Sequence, residues 1–273
     1  MKAFFLLFIV SLGAFGQELS FRSRLPKVQQ LKNPQYSAND IKAEIDFGKG
    51  LVARILTKYP LVNHPSLQKY VNSLGAGLAA QIGRPELNFY FGVINTPDVN
   101  AYACPGGFVV LTKGLIDLLE NEAELIGVLA HEIAHVNERH VIKKLKLKGS
   151  DDSAISGLGA MVGGATNSFR VALKTISDEA MNVLFNEGLA VSEELESDLT
   201  AISAVNAAGY SVHAYHDLLM KIKKSMEEQN AKVLTKTHPQ VSSRILMVDQ
   251  FEKEYKPTNQ KLNVERFKRY ATN

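Results

Sequence analysis

The stretch that decides how this chain folds and acts reads His131-Glu132-Ile133-Ala134-His135. Histidines four residues apart lie on one face of an α-helix, one turn from each other. Two imidazoles at this spacing suit one Zn²⁺ ion, and the glutamate beside the first histidine can act as a general base. The same five-residue pattern also arises by chance, so the residues around it decide its meaning.

The flanking residues predict that this motif lies in the middle of a helix. Asn121 can cap the helix, and Glu122 and Glu124 follow in its first turn, where negative charge is favourable. Apolar residues recur at helical spacing from there onward: Leu125, Ile126, Leu129, Ile133 and Val136. The helix therefore fixes the geometry of both histidines. His140 falls at the wrong offset for a third histidine ligand, so we interpret it as packing near the helix end.

The third metal ligand must come from elsewhere, and residues 193–198 form an acidic group that can supply it. Glu194 and Asp198 share one helical face beside an apolar stripe, so we predict Glu194 as the ligand and Asp198 as the partner of a ligand histidine. We interpret Glu193 and Glu196 as solvated surface residues. The alternative for the whole group is an acidic helix face without a metal.

Four segments, taken in order, resemble one family of zinc peptidases. Residues 100–107 read NAYACPGG, and residues 123–140 combine the metal motif with AEL before it and RH after it. Residues 194–198 resemble that family's ExEAD motif, and residues 237–245 resemble its THPxxxxRI signature. Together they resemble metallopeptidase family forty-eight, the HtpX/BepA-like gluzincins related to the CaaX prenyl proteases. The resemblance covers about residues 60–250.

The resemblance implies an α+β fold, a helix-rich zincin-like (gluzincin) domain with a small β-sheet, and one Zn²⁺ per chain. It also implies that Glu194 is the third ligand and that Asp198 supports a histidine. The chain departs from the family pattern at Ser197, where alanine is usual, and at Ala190-Val191, where Ser-Arg is usual. We expect this chain to lack the helical repeat domain of the BepA-like members, so we do not transfer their mode of partner docking.

Two further parts of the site follow from the same resemblance. The segment Asn100, Ala101, Tyr102 and Ala103 is expected to be an edge strand that binds an extended peptide main chain to main chain. His238 is expected near the metal, either as a latency switch or as a residue that stabilises the oxyanion. The alternative for His238, the residue before a proline, is simple packing at a helix entrance.

The strands are predicted from local patterns. Residues 87–93 alternate between apolar and polar positions, residues 100–104 read as extended, and residues 108–111 form a second apolar run. A Pro-Gly-Gly turn at residues 105–107 joins the last two as a hairpin. Later helices are predicted over residues 189–208, ended by Gly209, over residues 211–228, and from Pro239 onward.

Composition limits the remaining possibilities. The 273 residues are 45% hydrophobic with a net charge of +3, which argues against nucleic acid as a partner. Lys2, the apolar run 4–12 and small residues before Gln17 predict a signal peptide over residues 1–16 and a single domain over residues 17–273. Residue 17, directly after the predicted signal, is glutamine and not the cysteine that a lipid anchor needs, so we expect an exported periplasmic or secreted protein that is not a lipoprotein. Cys104, the only cysteine, is expected to be buried.

The Gly-rich segment 150–168 has two interpretations: a flap or loop packed on the domain, or a segment that contacts a membrane peripherally.

The sequence predicts a zinc metalloendopeptidase that hydrolyses peptide bonds of misfolded or envelope proteins with zinc-bound water activated by Glu132. The alternative is a latent zinc-bound chaperone or binding module of the envelope with gated or no proteolysis. The oligomeric state stays open.

Overall fold

A computed structural model describes residues 36–145, 167–228, 237–238, 240–253 and 261–271 of the chain. The predicted signal peptide and its cleavage site before residue 17 lie outside these ranges. The Gly-rich segment 150–168 also lies outside them, except for its last two residues.

The described residues form a helix-rich α+β structure. Its helices are α1 Ala38–Lys58, α2 Pro65–Ile82, α3 Lys113–Leu118, α4 Glu122–Asn137, α5 His140–Lys144, α6 Asn167–Asn182, α7 Val191–Ala207, α8 His213–Glu228, α9 Val241–Glu252 and α10 Val264–Ala271. The strands are β1 Tyr90–Ile94, β2 Ala101–Cys104 and β3 Phe108–Thr112, and a π-helical turn spans Val183–Glu187. Among the helices described, none is long and apolar enough to cross a bilayer.

The three strands form one small sheet in the order β1-β3-β2, with β1 parallel and β2 antiparallel to β3. The predicted hairpin between β2 and β3 is confirmed. Its turn needs Gly106 and Gly107, whose φ angles of 78° and 94° strain any residue with a Cβ. The order leaves β2 at one edge of the sheet, next to α4.

The central helix α4 is buried along its whole length. It packs mainly against α7 and also against α2, α8 and β2. Gly127 allows the Tyr215 ring of α8 to lie against α4, because a Cβ there would come within 2.4 Å of that ring. This close approach places the Tyr215 hydroxyl beside the metal motif.

Helix ends follow local rules. Ser37 caps α1 in a reciprocal capping box with Asp40, and α7 ends just before Gly209, whose φ is 78°. The prediction that α9 begins at Pro239 is wrong by two residues. Gln240 has a left-handed φ of 53°, so regular helix starts at Val241.

Candidate metal centre

Four side chains from three parts of the chain meet at one point beside α4. His131, His135, Glu194 and His238 each offer one ligand atom, and these atoms all lie within 4.8 Å of one another. The Nε2 atoms of His131 and His135 are 2.9 Å apart, and each lies 3.5 Å from a Glu194 oxygen. The packing of α7 on α4 therefore brings together the three residues predicted as ligands.

The residues present fit a divalent metal. Glu194 is fully buried, and its Oε1 has no hydrogen-bond partner among the described residues. Burial and the neighbouring His131 hold the pKa of His135 well below its usual value, so its ring is neutral and a lone pair is available. Burial lowers the pKa of His131, but hydrogen bonds to Asp198 and Glu194 raise it to about 9, so a metal must displace a proton from this ring. Once both rings are neutral, two imidazoles and a carboxylate form a donor set that Zn²⁺ accepts.

Asp198 holds His131 from behind. Its Oδ1 lies 3.1 Å from His131 Nδ1 and accepts a hydrogen bond of 2.6 Å from the Tyr215 hydroxyl. Arg244 donates to both Asp198 oxygens at 2.8 and 2.7 Å. Burial alone would raise the pKa of Asp198, but Arg244 and His131 lower it to about 2. An ionised Asp198 orients His131 so that Nε2 faces the cluster.

The other ligand histidine is also supported from behind. His135 Nδ1 lies 2.7 Å from His140 Nδ1 and 3.2 Å from the Ser197 hydroxyl. His140 Nε2 in turn lies 3.6 Å from a Glu196 oxygen. His140 packs at the end of α4, as the sequence predicts, and in addition contacts a predicted ligand. Glu196 keeps 40% of its side chain exposed.

Glu132 points beside the cluster and is not one of its four members. Its side chain is buried, and its Oε2 has no hydrogen-bond partner among the described residues. Burial raises the pKa of this carboxylate above its usual value. A carboxylate with a raised pKa accepts a proton more readily at neutral pH, as a general base must.

His238 lies at the cluster. Its Nδ1 is 3.0 Å from Glu194 Oε2, and its ring centroid is 5.6 Å from that of His131 and 6.0 Å from that of His135. Arg244 Nη1 lies 2.9 Å from the same Glu194 oxygen. The structure thus brings His238 to the predicted ligands His131, His135 and Glu194, as one of the two sequence interpretations expected.

The strand β2 presents main-chain groups at its outer edge. The Thr112 N–H donates to the Asn100 carbonyl at the start of the β2–β3 pair. Hydrogen-bonded positions alternate along an antiparallel pair. The main-chain groups of Tyr102 therefore point towards β3, and those of Ala101 and Ala103 point away from it. The Ala101 N–H is taken by the Asn100 side chain. All four residues of this predicted binding segment are buried.

Two cavities lie along β2, on either side of the cluster formed by His131, His135, Glu194 and His238. One of about 40 Å³ adjoins Asn100 and Ala101, and one of about 20 Å³ adjoins Ala101 to Ala103. Leu184, Gly188 and Leu189 also line the smaller cavity. Glu132 and His238 border both cavities, so the cluster lies where they meet.

Comparison with known proteins gives relatives of one kind. The beta-barrel assembly-enhancing protease of Yersinia pestis is 27% identical over 225 residues, which cover 75% of this chain and 43% of that protein. The mitochondrial metalloendopeptidase OMA1 of Schizosaccharomyces pombe is 28% identical over 204 residues, which cover 72% and 55%. The protease HtpX homolog of Dictyoglomus thermophilum is 39% identical over 93 residues, which cover 32% and 30%.

The chain spans about half the length, or less, of the curated relatives it matches. A family model described as peptidase family M48 matches residues 65–252, more than half of the chain. The matched region contains the whole α4–α7 cluster and the sheet. The resemblance and the fold class predicted from the sequence are confirmed, and this chain belongs to peptidase family M48.

Proposed function

We propose that this chain is a zinc-dependent metalloendopeptidase. The observation that supports it most strongly is the convergence of three buried donor side chains next to Glu132, whose buried Oε2 has no hydrogen-bond partner in the part of the chain that the structure describes. His131, His135 and Glu194 would hold one zinc ion per chain, and Asp198 would fix the orientation of His131. No observation on the described residues favours the alternative of a chaperone without proteolysis.

In the proposed hydrolysis of a peptide bond, the zinc ion and Glu132 have different roles. Zinc, when bound, supplies a Lewis acid that polarises the scissile carbonyl and makes water more acidic. Glu132 accepts the proton of the attacking water and then gives it to the leaving amine. Burial raises the pKa of Glu132, which favours its acceptance of that proton.

The substrate would be a polypeptide in extended form. The outward Ala101 carbonyl and the main chain of Ala103 can bond a peptide strand added to the edge of β2, with Asn100 and Tyr102 completing the segment. Leu184, Gly188 and Leu189 also border the cavity beside this edge, so they would contact a peptide bound there. Misfolded or envelope proteins are the substrate class that we propose.

His238 has one of two roles in this proposal. As a latency switch it occupies the position of substrate near the metal. As a catalytic residue it stabilises the negative charge on the carbonyl oxygen. In the first case His238→Ala raises the turnover of labelled casein, and in the second it lowers turnover and leaves zinc binding intact. Unchanged turnover would contradict both roles.

We also propose that the protein is exported to the periplasm or secreted, without a lipid anchor. The charged, apolar and small residues of segment 1–16 support this. N-terminal sequencing of the chain from the cells that make it should begin at Gln17, and a cytoplasmic chain that begins at Met1 would contradict export. Peripheral membrane contact through segment 150–168 stays a prediction.

The test of the activity compares the zinc-loaded chain with Glu132→Gln on labelled casein. Glu132→Gln should keep its zinc, because the residue is not a ligand, and lose turnover by at least about 10²-fold. Asp217→Asn, an exposed carboxylate on α8, is the matched control and should retain full turnover. Equal turnover by Glu132→Gln and the parent chain would overturn the proposal.

A further inference from the structure

The contact between His135 and His140 requires a break in the helix between them. Residues that share a face of an α-helix are three or four positions apart, and these two are five apart. Their Nδ1 atoms nevertheless lie 2.7 Å from each other, and the two rings meet edge to face with centroids 5.0 Å apart. An unbroken helix through residue 140 would therefore turn the His140 ring away from the proposed zinc ligand.

Arg139 supplies that break. Helix α4 ends at Asn137, α5 begins at His140, and Arg139 between them has the left-handed angles φ 54° and ψ 35°. Helices commonly end with a residue in this conformation, and that residue is usually glycine because a Cβ disfavours it. An arginine at this position must therefore be held in place by other contacts.

The Arg139 side chain has such contacts. Its Nε donates to Glu44 Oε2 at 2.9 Å, and its guanidinium carbon lies 3.6 Å from the centroid of the Tyr36 ring. A carboxylate oxygen of Glu86 lies 3.9 Å from its Nη2. The side chain is only 8% exposed, so water screens these attractions weakly. The anchored side chain holds the residue in its disfavoured backbone conformation.

The partners of Arg139 come from a part of the chain far from the metal motif in sequence. Tyr36 and Glu44 both precede the region that the family model matches, which begins at residue 65. Glu44 is itself fixed by the main-chain N–H of Gly106, which lies 3.3 Å from its Oε1. The helix α1 is thus connected through Arg139 to the end of the helix that carries the metal motif.

The residues that follow the bend are buried. His140, Val141 and Ile142 are each no more than 3% exposed, so packing restricts the His140 ring once the bend directs α5 inwards. We propose that Arg139 is a positioning residue for the metal centre: its left-handed backbone directs His140 against His135 and thereby raises the affinity for zinc. The inference rests on the proposed function, because it takes His135 as a zinc ligand.

The first test compares two substitutions that remove the same side chain. Arg139→Ala and Arg139→Gly both lose the guanidinium contacts, but of the two residues only glycine adopts the left-handed conformation freely. Zinc affinity is measured by titration against a competing chelator, on chains shown to be folded by circular dichroism. Arg139→Ala should bind zinc at least about fivefold more weakly than the parent, and Arg139→Gly within about twofold of it. Equal affinity in the two variants would overturn the inference.

The second test asks whether Arg139 acts through His140. In the His140→Ala chain the ring that the bend positions is gone, so adding Arg139→Ala should change zinc affinity by less than about twofold. A further loss of about fivefold or more would contradict the inference, because Arg139 would then support the metal by another route. Arg54→Ala, which removes an exposed, ion-paired arginine from α1, is the control and should bind zinc as the parent does.

A third comparison keeps Arg139 and changes its partner, so it decides the question even where Arg139→Ala does not fold. Glu44→Gln keeps the size of the side chain and removes the charge that holds the guanidinium, so zinc should bind at least about threefold more weakly. Adding Arg139→Gly should return the affinity to within about twofold of the parent, since glycine keeps the bend without a partner. Parent-like affinity in Glu44→Gln, or a loss that glycine does not restore, would contradict the inference.

Zinc affinity also separates the failure of this inference from the failure of the proposed function. A parent chain that binds no zinc at the cluster would overturn the metallopeptidase proposal and this inference together. A parent chain that binds zinc, with Arg139→Ala and Arg139→Gly variants of equal affinity, would overturn this inference alone.

Discussion

His135, a proposed zinc ligand, is held in place by residues on the side of its ring away from the cluster. One ring nitrogen faces Glu194, and the other contacts His140 and the Ser197 hydroxyl. Such contacts fix which nitrogen carries the proton and hold the ring in the direction of the metal. Ser197 stands where the family pattern has alanine, so this chain has a contact that the usual residue cannot make.

Loss of this support should weaken zinc binding. We expect His140→Ala to reduce zinc affinity about 10–100-fold, the usual cost of removing a partner of a ligand histidine. Zinc titration against a competing chelator measures it. His213→Ala, an exposed histidine on α8, is the control and should bind zinc as the parent does. Parent-like affinity in His140→Ala would show that the contact with His135 has no role in binding.

For individual residues, the sequence predicts site membership when the residues share a short motif. It misses residues that come together only in the folded chain. His131, His135 and Glu132 are given by helical spacing, and Glu194 by its position on an acidic face. Tyr215 lies 84 residues from His131 and looks like any other apolar position of α8. The one local signal is Gly127, because a residue without a Cβ leaves room for a ring to pack against α4.

The elements are predicted well where their own residues determine them. Capping by Ser37 and the glycine after α7 locate those helix ends from local sequence. The pairing of β1 parallel to β3 is not predictable in this way, because it depends on how α2 packs against β1. The side chains of Gln68 and Asn72 on α2 bond the outer edge of β1 and thereby fix that contact.

A buried ion network joins α1, the end of α2 and the residue before α5. Glu44 is fully buried and accepts hydrogen bonds from Arg84 at 2.7 and 3.1 Å and from Arg139 at 2.9 Å. Glu44→Ala leaves two buried guanidinium groups without this partner. We expect a loss of about 3–5 kcal/mol in the free energy of unfolding, measured by urea denaturation.

The matched control is Asp46→Ala on the same helix. Asp46 pairs with the exposed Lys42, and such surface pairs contribute about 0–1 kcal/mol. If Glu44→Ala and Asp46→Ala had the same free energy of unfolding, the proposal that the Glu44 network holds α1 against the domain would be contradicted.

At the scale of the whole molecule, Glu122 ties the start of α4 to distant parts of the chain. Tyr70 of α2 donates to it at 2.8 Å, and Tyr210 and Arg266 also donate to it. Burial opposes ionisation, but these hydrogen bonds outweigh it and lower the pKa of Glu122 below its usual value. The ionised form is therefore favoured in the folded state.

The sign of the pH effect follows from that lowered pKa. Glu122 stabilises the fold at pH above its usual pKa and loses this contribution as the pH falls through the lower, folded-state pKa. We expect Glu122→Gln to be less stable at pH 7 and to lose less stability than the parent between pH 7 and pH 3, by urea unfolding. Glu120→Gln, exposed nearby, should follow the parent curve. Identical acid dependence in Glu122→Gln would contradict the assignment.

Bound metal should stabilise the whole domain, because zinc binds the folded cluster and not the unfolded chain. At free zinc of about 100 times Kd the gain is about 2.7 kcal/mol. Removal of zinc by a chelator should therefore lower Tm by several degrees in a calorimetric scan, and the same treatment should leave the Tm of His135→Ala unchanged. A Tm indifferent to the chelator in the parent chain would argue against a metal in the core.

The central claim is that α4 and α7 together hold one zinc ion. The most direct measurement is a crystal structure of the zinc-loaded chain with anomalous scattering collected on both sides of the zinc absorption edge. We expect one anomalous peak per chain, bound by Nε2 of His131, Nε2 of His135 and a carboxylate oxygen of Glu194, with Glu132 close by but not bound. A peak held by other residues, or a cluster that stays empty in excess zinc, would contradict it.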